Sequence, residues 1–165
     1  MRNNEILKIL QLPMREQKYD FDCSVAIAWS LLKYHKIKVD YNTLLKTSKV
    51  SPVDGLQPLK FVNLLKKFGL DANLDHHKTI RYLKTQIKKN NPVIVLIQSR
   101  KEYNKSWSNT WMYGHWGLVF GYDTHRIFMY DPSIGGVRAY TYDQFNTRWH
   151  DEWKSMKFIK SVISI

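Results

Sequence analysis

The hydrophobic period of this chain changes once, near its middle, and that change limits the folds open to it. Up to about residue 90, apolar residues recur at helical spacing. Val25, Ala28, Trp29 and Leu32 share one face, and Phe61, Leu64, Leu65 and Phe68 repeat the pattern. The spacing predicts helices near 22–36, 40–48 and 55–68, with a fourth over 79–89. Asp22, Asp40 and Asp54 stand at or just before three of these starts, where a carboxylate can accept orphan N–H groups and meet the positive end of the helix dipole. Beyond residue 90 the pattern turns to short β-branched and aromatic runs at 92–98, 116–122, 126–131, 137–141 and 156–164. Turn residues such as Asp123-Thr124-His125 and Ser133-Ile134-Gly135-Gly136 separate them. Helices followed by mostly antiparallel strands predict an α+β domain, the helices packed on one side of the sheet and a cleft at the wall between the two halves.

No repeat, Pro-rich stretch or Gly/Ser linker interrupts the 165 residues, so one domain spanning 1–165 is expected. An apolar fraction of 44% is enough for a sizeable core and excludes a disordered chain. Met1–Met14 has no continuous apolar stretch and does not read as a secretory signal. The apolar run Val93–Ile97 is far too short to span a bilayer, for which ~20 residues are needed. The expectation is a soluble protein, cytoplasmic as synthesised, with export by a signal-less route left open and the oligomeric state unspecified. A formal charge of +12 attracts acidic peptides and polyanions on electrostatic grounds. The lysines are scattered, and no helix-turn-helix, RNA-recognition or zinc-finger pattern accompanies them, so no specific nucleic-acid partner is expected.

Cys23 is the single cysteine, which excludes an intramolecular disulfide and a zinc site built on several thiolates. It falls on the first turn of a predicted helix, where unsatisfied N–H groups and the dipole favour the reactive thiolate. A lone cysteine is more often a small buried hydrophobe, so its surroundings decide. Gln17, six residues upstream in a polar loop, can aim its amide at the oxygen of a carbonyl attacked by Cys23 and share an oxyanion hole with the Cys23 N–H. His115 opens the apolar strand Gly114-His115-Trp116-Gly117-Leu118-Val119-Phe120-Gly121-Tyr122, and Asp131 ends the next strand. Antiparallel neighbours can set the two side by side, with the carboxylate fixing the imidazole tautomer and orienting the ring toward the thiol.

Taken together, Gln17, Asp22-Cys23 followed by small residues, the Gly-His-Trp-Gly-Leu-Val-Phe-Gly-Tyr-Asp run and Tyr130-Asp131-Pro132-Ser133 resemble the bacteriocin-processing double-glycine peptidases of the papain-like superfamily. The likeness runs from about residue 12 to 145. It implies a papain-like fold with the active site in the cleft between helices and sheet, and a cysteine peptidase mechanism. Cys23 would attack, His115 act as base, Asp131 orient it and Gln17 serve the oxyanion hole, with cleavage after Gly-Gly as the implied preference and no cofactor. Ser24 stands where the family usually has glycine and Val25 where it often has proline. The alternatives on the same residues are a thiol acyltransferase and a catalytically silent papain-like peptide-binding module.

The stretch 100–113 reads as a long, polar, aromatic-studded loop leading to His115, the kind that forms lids and binding walls. Trp107, Trp111 and Tyr113 from it, with Trp116, are the candidate substrate-binding residues. Asp75-His76-His77 has no partner cluster at ligand spacing and reads as a solvent-facing strand end, so no metal is expected. His35 lies ~18 Å along the helix from Cys23, too far to serve as its base. His125 in a hairpin turn and His150 in a polar C-terminal segment are read as uninvolved.

Overall fold

A computed structural model describes residues 7–165. Four helices occupy the first half: α1 (Cys23–Tyr34), α2 (Tyr41–Ser48), α3 (Pro58–Lys67) and α4 (Ile80–Lys88). The strands are β1 (Lys8–Ile9), β2 (Asn73–Asp75), β3 (Val93–Gln98), β4 (Gly114–Tyr122), β5 (Arg126–Asp131), β6 (Gly136–Thr141), β7 (His150–Trp153), β8 (Met156–Ile159) and β9 (Val162–Ser164). A short helix, α5 (Tyr142–Arg148), follows β6. The α+β architecture expected from the change of period is present, with the N-terminal helices packed on an antiparallel sheet.

Helix α1 is buried on nearly every side rather than along one stripe, since Ser24 to Ala28 and Ser30 to Leu32 are all buried. A helix apolar all round belongs inside a molecule. Burying Val25, Ile27, Leu31 and Leu32 contributes roughly 1.5–3 kcal/mol each. Trp29, placed on the core face by the spacing, is only half-buried, with the Arg15 and Lys33 cations over its ring.

The three predicted aspartate caps divide. Asp40 accepts from the Thr43 N–H at 2.9 Å and caps α2. Asp22 occupies the N-cap position of α1, but its carboxylate makes no cap bond and turns back into the preceding loop. Asp54 lies in the turn before α3, whose cap is Gln57 with Pro58 following, where the missing N–H costs nothing.

The main sheet runs β2-β9-β3-β4-β5-β6, with β1 also pairing β4, and every pairing is antiparallel. β3 is buried at all six positions and β4 at all but Gly114, the pattern of strands covered on both faces. The edge strand β6 is mostly exposed. The run 156–164 is not one strand. At Lys160 the backbone enters the left-handed region (φ 46°), ending β8, which pairs only β7, and starting β9, which returns to the main sheet. Helix α5 went unpredicted because it is seven residues long; a Thr141–Gln144 capping box starts it and buried Phe145 anchors it. Among the described residues no helix is long and apolar enough to cross a membrane.

Candidate active site

The thiol end of the site is built by the loop before α1. Asp22 is fully buried; its Oδ1 accepts from the Tyr19 N–H at 2.9 Å and its Oδ2 from the Tyr41 hydroxyl at 2.9 Å. Arg15 lies over the Tyr41 ring at 3.7 Å. These contacts pin residues 19–22 to α2 and fix where α1 begins. Half-buried Cys23 is its first residue, and its N–H has no acceptor within the helix.

The second component comes from the sheet. The β4–β5 register sets Leu118 opposite Tyr130, which leaves Asp131 diagonally across from His115. His115 Nε2 and Asp131 Oδ1 are 2.7 Å apart, both groups buried. The other ring nitrogen is left to face Cys23, and the imidazole is in hydrogen-bonding reach of that thiol. Burial pushes the imidazole pKa down, but the hydrogen bonds to Asp131 and Cys23 and their charges outweigh it and push it up to about 10. Asp131 also accepts from the Ser133 N–H (2.9 Å), the Ser133 hydroxyl (2.7 Å) and Arg138 Nε (2.9 Å). Burial raises the Asp131 pKa, yet His115, Arg138 and Ser133 together hold the carboxyl well below its usual range. A permanent anion thus stands behind a ring that holds its proton.

Cys23 and His115 open onto a cleft of about 520 Å³. Trp111, Met112 and Trp116 form apolar parts of its wall, and 52–56 form a rim of it. Trp116 is buried, stacks edge-on with Phe61 at 5.0 Å and donates from Nε1 to the Leu56 carbonyl, tying that rim to the sheet. The 100–113 segment is held as a closed loop. Glu102 Oε2 accepts from the Trp111 N–H at 2.6 Å, the Glu102 N–H donates to Thr110 Oγ1, and the Ser99 N–H donates to the Tyr113 carbonyl.

The chain matches the family model described as Peptidase_C39 like family over residues 9–160. The chain belongs to the Peptidase_C39-like family. Solved structures share the fold of this C39-like chain. A protein from Bacillus anthracis described as a C39-like peptidase superposes with a TM-score of 0.75 at 18% identity, covering 98% of each chain. The peptidase domain of Streptococcus ComA, a bifunctional ABC transporter in a quorum-sensing pathway, gives 0.68 at 19%, over 93% of this chain and 96% of that one. A double glycine motif protease from an AMS/PCAT transporter, solved with its leader peptide, gives 0.65 at 17%, with 96% of each covered. No curated protein matches the sequence.

Of the residues singled out by sequence, the C39-like fold brings Cys23, His115 and Asp131 into one contiguous set. Gln17 approaches through its backbone, whose N–H donates to the Pro132 carbonyl beside Asp131 at 2.8 Å. Its Nε2 donates to the Tyr19 carbonyl at 2.6 Å and keeps a second hydrogen. Trp111 and Trp116 line the cleft, whereas Gln17, Trp107 and Tyr113 do not. Trp107 stacks under Arg148 of α5 at 3.4 Å, and Tyr113 under Arg100 at 4.2 Å. His150, read as uninvolved, is buried; its Nε2 bonds the Thr110 carbonyl and its ring packs on Trp111 at 4.4 Å, so it holds the loop. Arg138 and Ser133 were legible in principle from the hairpin register and the Asp-Pro-Ser turn. Gln98 and Asp151 carried no local signal, because β7 meets the end of β3 only through the tertiary fold.

Proposed function

We propose that this protein is a peptidase working through a Cys23–His115–Asp131 triad. The observation that carries the reading is the buried 2.7 Å contact between His115 and Asp131 with the same imidazole engaging Cys23 at a helix start. The Cys23 thiolate attacks a peptide carbonyl carbon, forming the C–S bond and placing charge on the oxygen. The Cys23 N–H is one donor to that oxyanion, and the family likeness implies the Gln17 amide as the second, its Nε2 keeping one hydrogen beyond the bond to the Tyr19 carbonyl. His115 then passes its proton to the departing nitrogen, the C–N bond breaks and the amine leaves. Water gives a proton to His115, its oxygen adds to the thioester, and C–S cleavage releases the acid and restores the thiolate–imidazolium pair. An amine replacing that water would make the same residues an acyltransferase. A peptide substrate fits the leader-peptide complex of one fold neighbour, and the family likeness implies cleavage after Gly-Gly.

The single cysteine gives a clean test. Alkylation of Cys23 by iodoacetamide at neutral pH, read by intact mass, is expected to slow at least tenfold in His115→Ala. Equal rates in the two proteins would remove the pair on which the proposal stands and leave a peptide-binding module.

A further inference from the structure

Besides Asp22 and Asp131, a third aspartate is buried at this site. Asp151, on β7, is 8% exposed and lines the cleft beside His115. Its Oδ1 accepts from Gln98 Nε2 at 2.8 Å, and the Glu152 N–H also reaches the carboxylate. Gln98 is itself locked, donating to the His150 carbonyl at 3.0 Å and accepting from the Tyr113 N–H at 2.9 Å. The carboxylate occupies the space a side chain at position 114 would need, since a Cβ on Gly114 would sit 2.1 Å from Asp151 Oδ2. Asp151 is therefore placed as firmly as the triad.

It lacks a cation. No lysine, arginine or histidine among the described residues forms an ion pair with it, and burial pushes its pKa up to about 6. A buried carboxylate without a counter-charge is costly unless something closes it. The rest of the cleft adds little positive charge: Asp20, Asp54 and Glu152 line it too, against Lys154 and the His115 imidazolium, which Asp131 already pairs. So the cleft is acidic in a chain whose net charge is +12.

We infer that the cleft seats a lysine or arginine side chain of the bound peptide against Asp151, next to the Cys23–His115 pair. The inference takes its location from the peptidase reading. The stem of such a side chain passes along Trp111 and Met112, apolar surface that long basic side chains cover well, while its head reaches the carboxylate. An apolar or acidic side chain there would strip water from Asp151 and give it no hydrogen bond in return.

The test separates binding from turnover. Acetylated, amidated hexapeptides carrying lysine, arginine, norleucine or glutamate at each position in turn are titrated against Cys23→Ala, and the same peptides are incubated with the native protein. At one position lysine or arginine is expected to bind at least tenfold tighter than norleucine. That advantage should vanish when Asp151→Asn is added, a change that keeps an acceptor for Gln98. Norleucine binding as well as lysine at every position, or a basic advantage that survives Asp151→Asn, would overturn the inference; the norleucine comparison holds even if that variant folds poorly. Basic peptides bound but never cleaved would refute the peptidase reading alone, and cleavage blind to basic residues would refute the Asp151 seat alone.

Discussion

Replacing Asp131 by asparagine tests the core of the site, because the substitution keeps shape and cannot keep the bonds. Oδ1 accepts from three donors, His115 Nε2 and the Ser133 N–H and hydroxyl, and Oδ2 accepts from Arg138 Nε. Either orientation of an amide points its NH₂ at a donor. The loss of one buried charge-assisted bond to the imidazole costs about 1.5–3 kcal/mol. Arg138 is half-exposed and adds at most about 1 kcal/mol. Together that is about 2–4 kcal/mol, or about 4–16 °C in Tm for a domain of this length. The pH dependence follows from the two shifts. The His115 pKa is raised from 6.5 to about 10, so its stabilisation is complete below pH 6.5 and lost as pH rises through 10. The Asp131 pKa is lowered from 3.8, so its stabilisation holds above that value and is lost only in stronger acid. Thermal melts from pH 5 to 10 should therefore show the parent–variant gap widest at pH 5–6 and closing toward pH 10. A gap under 1 °C at pH 6, or one constant across the range, would refute the buried pair. Turnover should fall by about 10²–10⁴, the scale expected when a catalytic imidazole loses its orienting carboxylate.

Two further substitutions address packing at the same site. Gly114→Ala places a Cβ within 2.6 Å of three carboxyl atoms of Asp151 and should lower Tm by about 4–8 °C, an overpacking cost of about 2 kcal/mol. Combining it with Asp151→Gly should cost less than the sum of the single changes; strict additivity would mean the two residues do not touch. Ser24 is fully buried and its hydroxyl has no hydrogen-bond partner, so Ser24→Ala should stabilise by about 1 kcal/mol and raise Tm by about 2–4 °C, with a lowered Tm as the contrary result.

What could be read in the sequence was whatever local spacing encodes. The helical faces of α1 and α3 and the apolar runs of β3 and β4 are periodic, and the four long helices appear within about three residues of their expected limits. Cys23, His115 and Asp131 stood out because each sits beside a turn or helix start that places it chemically. The failures share a cause. Asp22 resembles a cap but bonds backward, since Tyr41 on the next helix offers a donor that no local rule contains. Trp107 and Tyr113 belong to the expected loop, yet Arg148 and Arg100 claim their faces. The split of 156–164 depends on one left-handed residue, Lys160, in a sequence with no glycine there to announce it.

Three buried aspartates lie around the Cys23–His115 pair, and their partners differ. Asp22 is closed by a backbone N–H and a tyrosine hydroxyl, so its charge is spent on shaping the loop before Cys23. Asp131 is closed by His115, Arg138 and Ser133, so its charge is spent on the imidazole. Asp151 meets one amide, one backbone N–H and the cleft. The +12 carried by the whole chain does not cancel it, because exposed cations farther away than a Debye length of about 8 Å are screened while the cleft carboxylates act at contact distance. Net charge thus describes the approach of a partner, and the cleft describes what is held. Asp22 and Asp151 each rest on two neutral donors, and what sets Asp151 apart is its place on the cleft wall, where the proposed peptide would bring the cation.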